Sequence, residues 1–89
     1  MNKNQEELRN EIIKVSDLLY QNNLGEGVKA IPDLIRKLSV LGGMLTEEEM
    51  PSYTNVLKNI MEAMEIKDYV LLADLLVYEV QPFLDSIKD

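Results

Sequence analysis

Leu8, Ile12, Val15 and Leu19 recur at intervals of four, three and four, the spacing that lines up one face of an α-helix. The stripe predicts a first helix over about 5–23. Asn22, Asn23 and Gly25 follow, residue types that accept the left-handed backbone at a helix C-terminus. A second stripe, Val28, Ile31, Ile35 and Leu38 with Leu34 and Leu41 alongside, predicts a helix over about 26–41 that stops at Gly42-Gly43. Gly25-Glu26-Gly27 lacks the Walker pattern of a phosphate loop, and its glycines read as turn glycines. Pro32 falls within this segment; it has no N–H for residue 28 and its ring crowds the preceding turn. Either the regular helix begins at Pro32 or it is kinked there.

Thr46-Glu47-Glu48-Glu49 fits a capping box, a hydroxyl for one free amide and a carboxylate reaching back three residues later. Pro51 biases Met50 away from helical angles, so a short turn is expected over about 47–50 and a third helix over about 51–65. Tyr53, Val56, Leu57, Ile60, Met61 and Met64 make its apolar face, and Thr54, Lys58, Glu62 and Glu65 point away. Asp68 is a good N-cap for a fourth helix over about 68–87, which Pro82 should bend near its end. No stretch alternates with period two long enough to argue a sheet. Short connections favour antiparallel neighbours. The expected fold is all-α, a small four-helix antiparallel bundle, with residues 1–89 forming one domain. Ile31-Pro32-Asp33-Leu34 and Gln81-Pro82-Phe83-Leu84 hint at two related helical hairpins.

The fourth segment is more apolar than one packed face requires. Thirteen of the nineteen residues from Tyr69 to Ile87 are apolar. At about 100° per residue, Leu72, Ala73, Leu76, Val80, Phe83, Leu84 and Ile87 fill one broad face. Leu71, Leu75 and Tyr78 form a second stripe among Asp74, Glu79 and Asp85. Burying a leucine contributes about 1.5–3 kcal/mol, so something should cover that stripe. Its cover is either the chain's own core or another molecule, a symmetric homodimer first and another protein's amphipathic helix next. Ile13 and Tyr20 stand off the main stripe of the first helix and could complement the second stripe, within one chain or across two.

Composition narrows the chemistry. Sixteen acids against nine bases give −7, and the bases are scattered, with only Arg36 and Lys37 adjacent. Neither nucleic acid nor an anionic membrane surface suits that balance. Tyr69 to Val80 is the most apolar run, broken by Asp74 and Glu79, whereas a membrane span needs about twenty residues. The N-terminal residues Met1-Asn2-Lys3-Asn4-Gln5-Glu6-Glu7 have no apolar run, so no secretory signal is expected. The chain has no Cys, His or Trp, which suits a reducing cytoplasm and removes thiolate, imidazole and zinc-type chemistry. Glu47-Glu48-Glu49 lacks the alternating ligands and glycine of a calcium loop. Carboxylate pairs such as Glu62 and Glu65 stand on a chain too short for a deep substrate cleft. No catalytic residue, metal or cofactor is expected. Met61 and Met64 are expected to fill gaps in the core, and Met44 and Met50 to pack over one end. The four tyrosines are each expected to bury a ring and keep the hydroxyl in water.

The run Lys67-Asp68-Tyr69-Val70-Leu71-Leu72-Ala73-Asp74-Leu75-Leu76-Val77-Tyr78-Glu79-Val80-Gln81-Pro82-Phe83-Leu84 resembles a family of small helical proteins from Gram-positive bacteria, mostly of unknown function. Its pattern is Asp-Tyr, then Leu-Ala-Asp-Leu-Leu, then Tyr-Glu, then Pro-x-Leu. Tyr20 to Leu38 is similar to the first half of that family. The resemblance implies a cytoplasmic helical bundle and brings no known activity with it. In size and charge the chain is also similar to flagellar and secretion chaperones. The expected function is a non-catalytic interaction module, adaptor or chaperone-like, self-associating through Leu71, Leu75 and Tyr78. The alternatives are a structural subunit of a larger assembly and a carboxylate-based enzyme.

Overall fold

A computed structural model describes residues 3–87, with Met1, Asn2, Lys88 and Asp89 outside them. All regular structure among the described residues is helical, in the four rods the stripes predict. They are α1 (Lys3–Tyr20), α2 (Leu24–Gly42), α3 (Met50–Glu65) and α4, residues 69–86. The rod α4 is α-helical over Tyr69–Asp74, π-helical over Leu75–Val80 and α-helical again over Gln81–Ser86. Helix α1 packs against α2 and α4, and α3 packs against α4. The core takes Leu8, Ile12, Val15 and Leu19 from α1, as the spacing predicts. It takes Leu72, Leu76, Val80 and Leu84 from α4.

Both hairpin turns use the same device. Asn22 and Lys67 hold left-handed backbone, with φ of 59° and 60°. Asn23 N–H donates to the Leu18 carbonyl and Asn22 N–H to Leu19. Asp68 N–H donates to the Ala63 carbonyl and Lys67 N–H to Met64. This paired pattern is the Schellman closure, which satisfies carbonyls left over at a helix end. Asn22 plays the role expected of it. Lys67 bears the conformational cost of a non-glycine residue there. Asp68 caps α4 as expected, accepting from Leu71 N–H at 3.1 Å.

Aligning the two turns at Asn22 and Lys67, 45 positions apart, leaves Pro32 and Pro82, 50 apart, out of register, so the two proline segments do not mark related hairpins. Leu8, Ile12, Val15 and Leu19 fall 45 positions before Tyr53, Leu57, Ile60 and Met64, and Ile31 falls 45 before Leu76. From Val80, the last residue of the π-helical segment, the offset becomes 46: Leu34 matches Val80 and Leu38 matches Leu84. A π-turn is one residue inserted into an α-helix, so the change of offset is the insertion itself. It lies immediately ahead of Pro82, which cannot donate an N–H and crowds the preceding turn. The bend expected at Pro82 is therefore realised as a widened turn before it.

Several expectations are corrected. The glycines Gly25 and Gly27 are not in a turn; both lie inside α2, and neither has positive φ. Gly27 is buried, and a Cβ there would stand 2.9 Å from Leu19 Cδ2. The core line of α2 therefore runs Gly27, Ile31, Leu34, Leu38, Leu41, leaving Val28 exposed and Ile35 half-buried. Helix α2 also runs unbroken through Pro32, whose ring is exposed, so Pro32 does not start it. Gly42 is still helical, and a Cβ on it would press the Tyr53 ring at 3.3 Å. Gly43 ends the helix with φ of −69°, without left-handed backbone. On α3, Ala63 takes the core place and Met61 is 54% exposed, so Met61 fills no gap. Met44 and Met50 are exposed too.

Tyr53 departs furthest from expectation. It is fully buried, its hydroxyl donates to the Leu38 carbonyl at 2.6 Å, and its ring meets Phe83 edge-on with centroids 5.0 Å apart. It joins α2, α3 and the end of α4 in one contact set. The capping box forms as expected: Thr46 N–H donates to Glu49 Oε1, and Glu49 N–H to Thr46 Oγ. Ser86 at the end of α4 donates to Glu49 Oε2 at 2.6 Å. Those bonds, Ser86 first, hold the Glu49 carboxyl below the usual range.

Candidate functional site: the outer face of α1 and α4

Arg9, Ile13, Ser16 and Tyr20 stand at intervals of four, three and four, so they share one edge of α1. That edge meets α4. The Arg9 guanidinium donates to Gln81 Oε1 at 2.9 Å and pairs with Asp85. Near the other end of α1, the Tyr20 hydroxyl donates to Asp74 Oδ1. Ser16 is buried in the seam. Between these two ties Ile13 and Tyr78 are exposed, with charged Asp17 and Glu79 beside them.

The α4 side of this face carries the second stripe. Leu71 is 41% exposed and Tyr78 is 69% exposed, while Leu75 is half-buried against the core. Ile13 and Tyr20 on α1 are 45% and 43% exposed. The chain's own fold therefore takes up Leu75 and leaves the rest of the row uncovered. The widened π-turn explains the split. Positions 72, 76, 80 and 84 would drift around a regular α-helix by about 40° at each step of four, whereas a wider turn keeps them on the core side. Leu71 and Tyr78 stay outward. Val70, 57% exposed, lies off the stripe and extends the apolar surface towards the α3–α4 turn.

The electrostatics of the face are acidic. The Tyr20 hydroxyl is pushed up to about 12, first by its bond to Asp74, then by burial, then by the charges of Asp74, Tyr78 and Asp17. Every one of these influences acts in the same direction. Asp17 and Glu79 are exposed beside Tyr20 and Tyr78.

A second feature does not show in the stripes. An open groove of about 340 Å³ lies between the start of α1 and the end of α2. Leu8, Val40, Leu41 and Met44 form its apolar wall, with Arg36 and Lys37 at the rim. Lys37 is held to Glu11 at 3.0 Å and to Asp33 at 3.2 Å, and Arg36 pairs with Asp33. The hydrogen bond to Glu11, then that to Asp33, raises Lys37, and Lys37 in turn lowers Asp33. Val40 and Met44, four apart and beside a predicted stop, carry the available signal.

Glu62 and Glu65 are exposed on α3, and Glu49 of the acidic run is engaged in its cap. Among the described residues no three acidic side chains gather as a cation site. No helix among them is long and apolar enough to cross a membrane.

The molecule is thus an all-helical domain whose α1–α4 face leaves part of an apolar row uncovered. Residues 1–89 match the family described as a domain of unknown function (DUF8042), and the chain belongs to that family. Comparison with curated proteins finds no match, and neither does comparison with solved structures.

Proposed function

We propose that this domain is a non-catalytic protein-interaction module, adaptor or chaperone-like, whose contact surface is the outer face of α1 and α4. The observation that carries the reading is the uncovered row of Ile13, Tyr20, Leu71 and Tyr78 around the Tyr20–Asp74 bond. Aromatic and aliphatic side chains on a pre-formed helical face are what partner helices use as anchors. Leu75, half-buried, supports the row from beneath. A chain without His or Cys offers few groups for acid–base or nucleophilic work, which also favours binding over catalysis. The lack of Cys and the resemblance of the 67–84 run to proteins of Gram-positive bacteria support a bacterial cytoplasmic setting.

Equilibrium unfolding of the Leu71→Ser/Tyr78→Ser double variant tests the reading. If the row is surface held for a partner, the variant loses no more than about 1.5 kcal/mol of stability. A loss of about 4 kcal/mol or more would make the row part of the fold and overturn the proposal.

A further inference from the structure

We propose that the occupant of the α1–α4 face is a basic amphipathic helix, its apolar stripe on Tyr20, Leu71 and Tyr78 and its Lys or Arg side chains against Asp17, Asp74 and Glu79. This rests on the interaction reading above and names its partner. Three observations lead there. Leu71 and Tyr78, like Ile13 and Tyr20, stand seven positions apart, about 10 Å along α1. Two parallel rows of that length present about two turns to a helix laid between them. The rim is acidic. Asp17 and Asp74 both act on the Tyr20 hydroxyl, and Glu79 is exposed next to Tyr78. Arg9, the base on this edge of α1, is already engaged by Asp85 and Gln81. Lys14, one residue past Ile13, and Lys67, in the turn ahead of α4, lie at the margins.

The same rim disfavours a second copy. A two-fold contact places the same patch on both sides. Asp17, Asp74 and Glu79 would then be brought against a patch of the same sign on a second chain of −7. Like charges across a contact weaken it, whereas a basic helix turns the same carboxylates into attraction.

The test uses two synthetic helical peptides that share one leucine stripe, one flanked by Lys and Arg and the other by Glu. Each is titrated by fluorescence anisotropy against the whole chain. The proposal expects the basic peptide alone to bind, with Kd rising about tenfold between about 0.05 and about 0.3 M salt. Asp17→Asn and Glu79→Gln should each raise Kd about two- to fivefold. Tyr78→Ala should raise it at least about fivefold, while Val28→Ala on α2 changes nothing. Equal binding of both peptides, or binding indifferent to Tyr78→Ala, overturns the proposal. If neither peptide binds but sedimentation shows Tyr78-dependent self-association, the basic helix is wrong and the interaction module stands. If neither peptide binds and the chain stays monomeric, both fail.

Discussion

Tyr53 shows how one polar atom can be placed where composition says little. Its hydroxyl reaches the Leu38 carbonyl inside the core, where a lone phenol would be costly. Burial holds that hydroxyl well above the ordinary tyrosine range. Tyr53→Phe should lose about 1 kcal/mol and Tyr53→Ala about 3–5 kcal/mol by urea unfolding. The glycines of α2 separate more sharply. A Cβ at Gly25 would meet nothing within 4 Å, so Gly25→Ala should gain about 0.5 kcal/mol from helix propensity. Gly27 faces buried Leu19 at 2.9 Å, so Gly27→Ala should lose about 1–3 kcal/mol despite the same propensity gain. Thermal melts of the two variants should move in opposite directions. Tyr20 makes a pH prediction. Its folded value lies above the ordinary 10.0, at about 12. The neutral phenol is the favoured form in the fold, so its stabilisation is full below pH about 10 and is lost as pH rises towards about 12. Asp74→Asn should bring the tyrosinate absorbance transition of Tyr20 back down.

The elements explain which parts of the fold are legible in the chain. Stripes with intervals of four and three mark the core face of α1 residue by residue, and Thr46 with Glu49 marks the cap ahead of α3. Gly27 escapes such a reading because a glycine in the first turn of a helix looks like the end of a turn; its reason is the close approach of Leu19. The shape of α4 escapes it because steps of about 100° per residue do not describe a rod that is not wholly α-helical. The constant interval of four through Leu72, Leu76, Val80 and Leu84 is the available signal for a wider turn. The two-hairpin alignment makes this testable. Deleting Val77 together with Pro82→Ala leaves core positions at intervals of four, three and four, as along Gly27, Ile31, Leu34 and Leu38. That variant should still unfold cooperatively by circular dichroism. Deleting Lys14 instead turns half the α1 stripe by about 100° and should abolish cooperative unfolding.

At the scale of the whole molecule, the bundle buries one face of each rod and leaves the α1–α4 exterior with apolar side chains inside an acidic border. The groove between α1 and α2 differs in kind, since its basic rim is tied up with Asp33 and Glu11. Sequence stripes locate the α4 half of the exterior face. They do not show that Leu75 is drawn towards the core, because that depends on the widened turn. The most direct measurement is photo-crosslinking in the native cell, with a photoreactive residue at position 78 and, as control, at position 28. The account predicts a discrete protein adduct from position 78 that disappears with Leu71→Ser, and none from position 28. Equal labelling from both positions, or none from position 78, would contradict it.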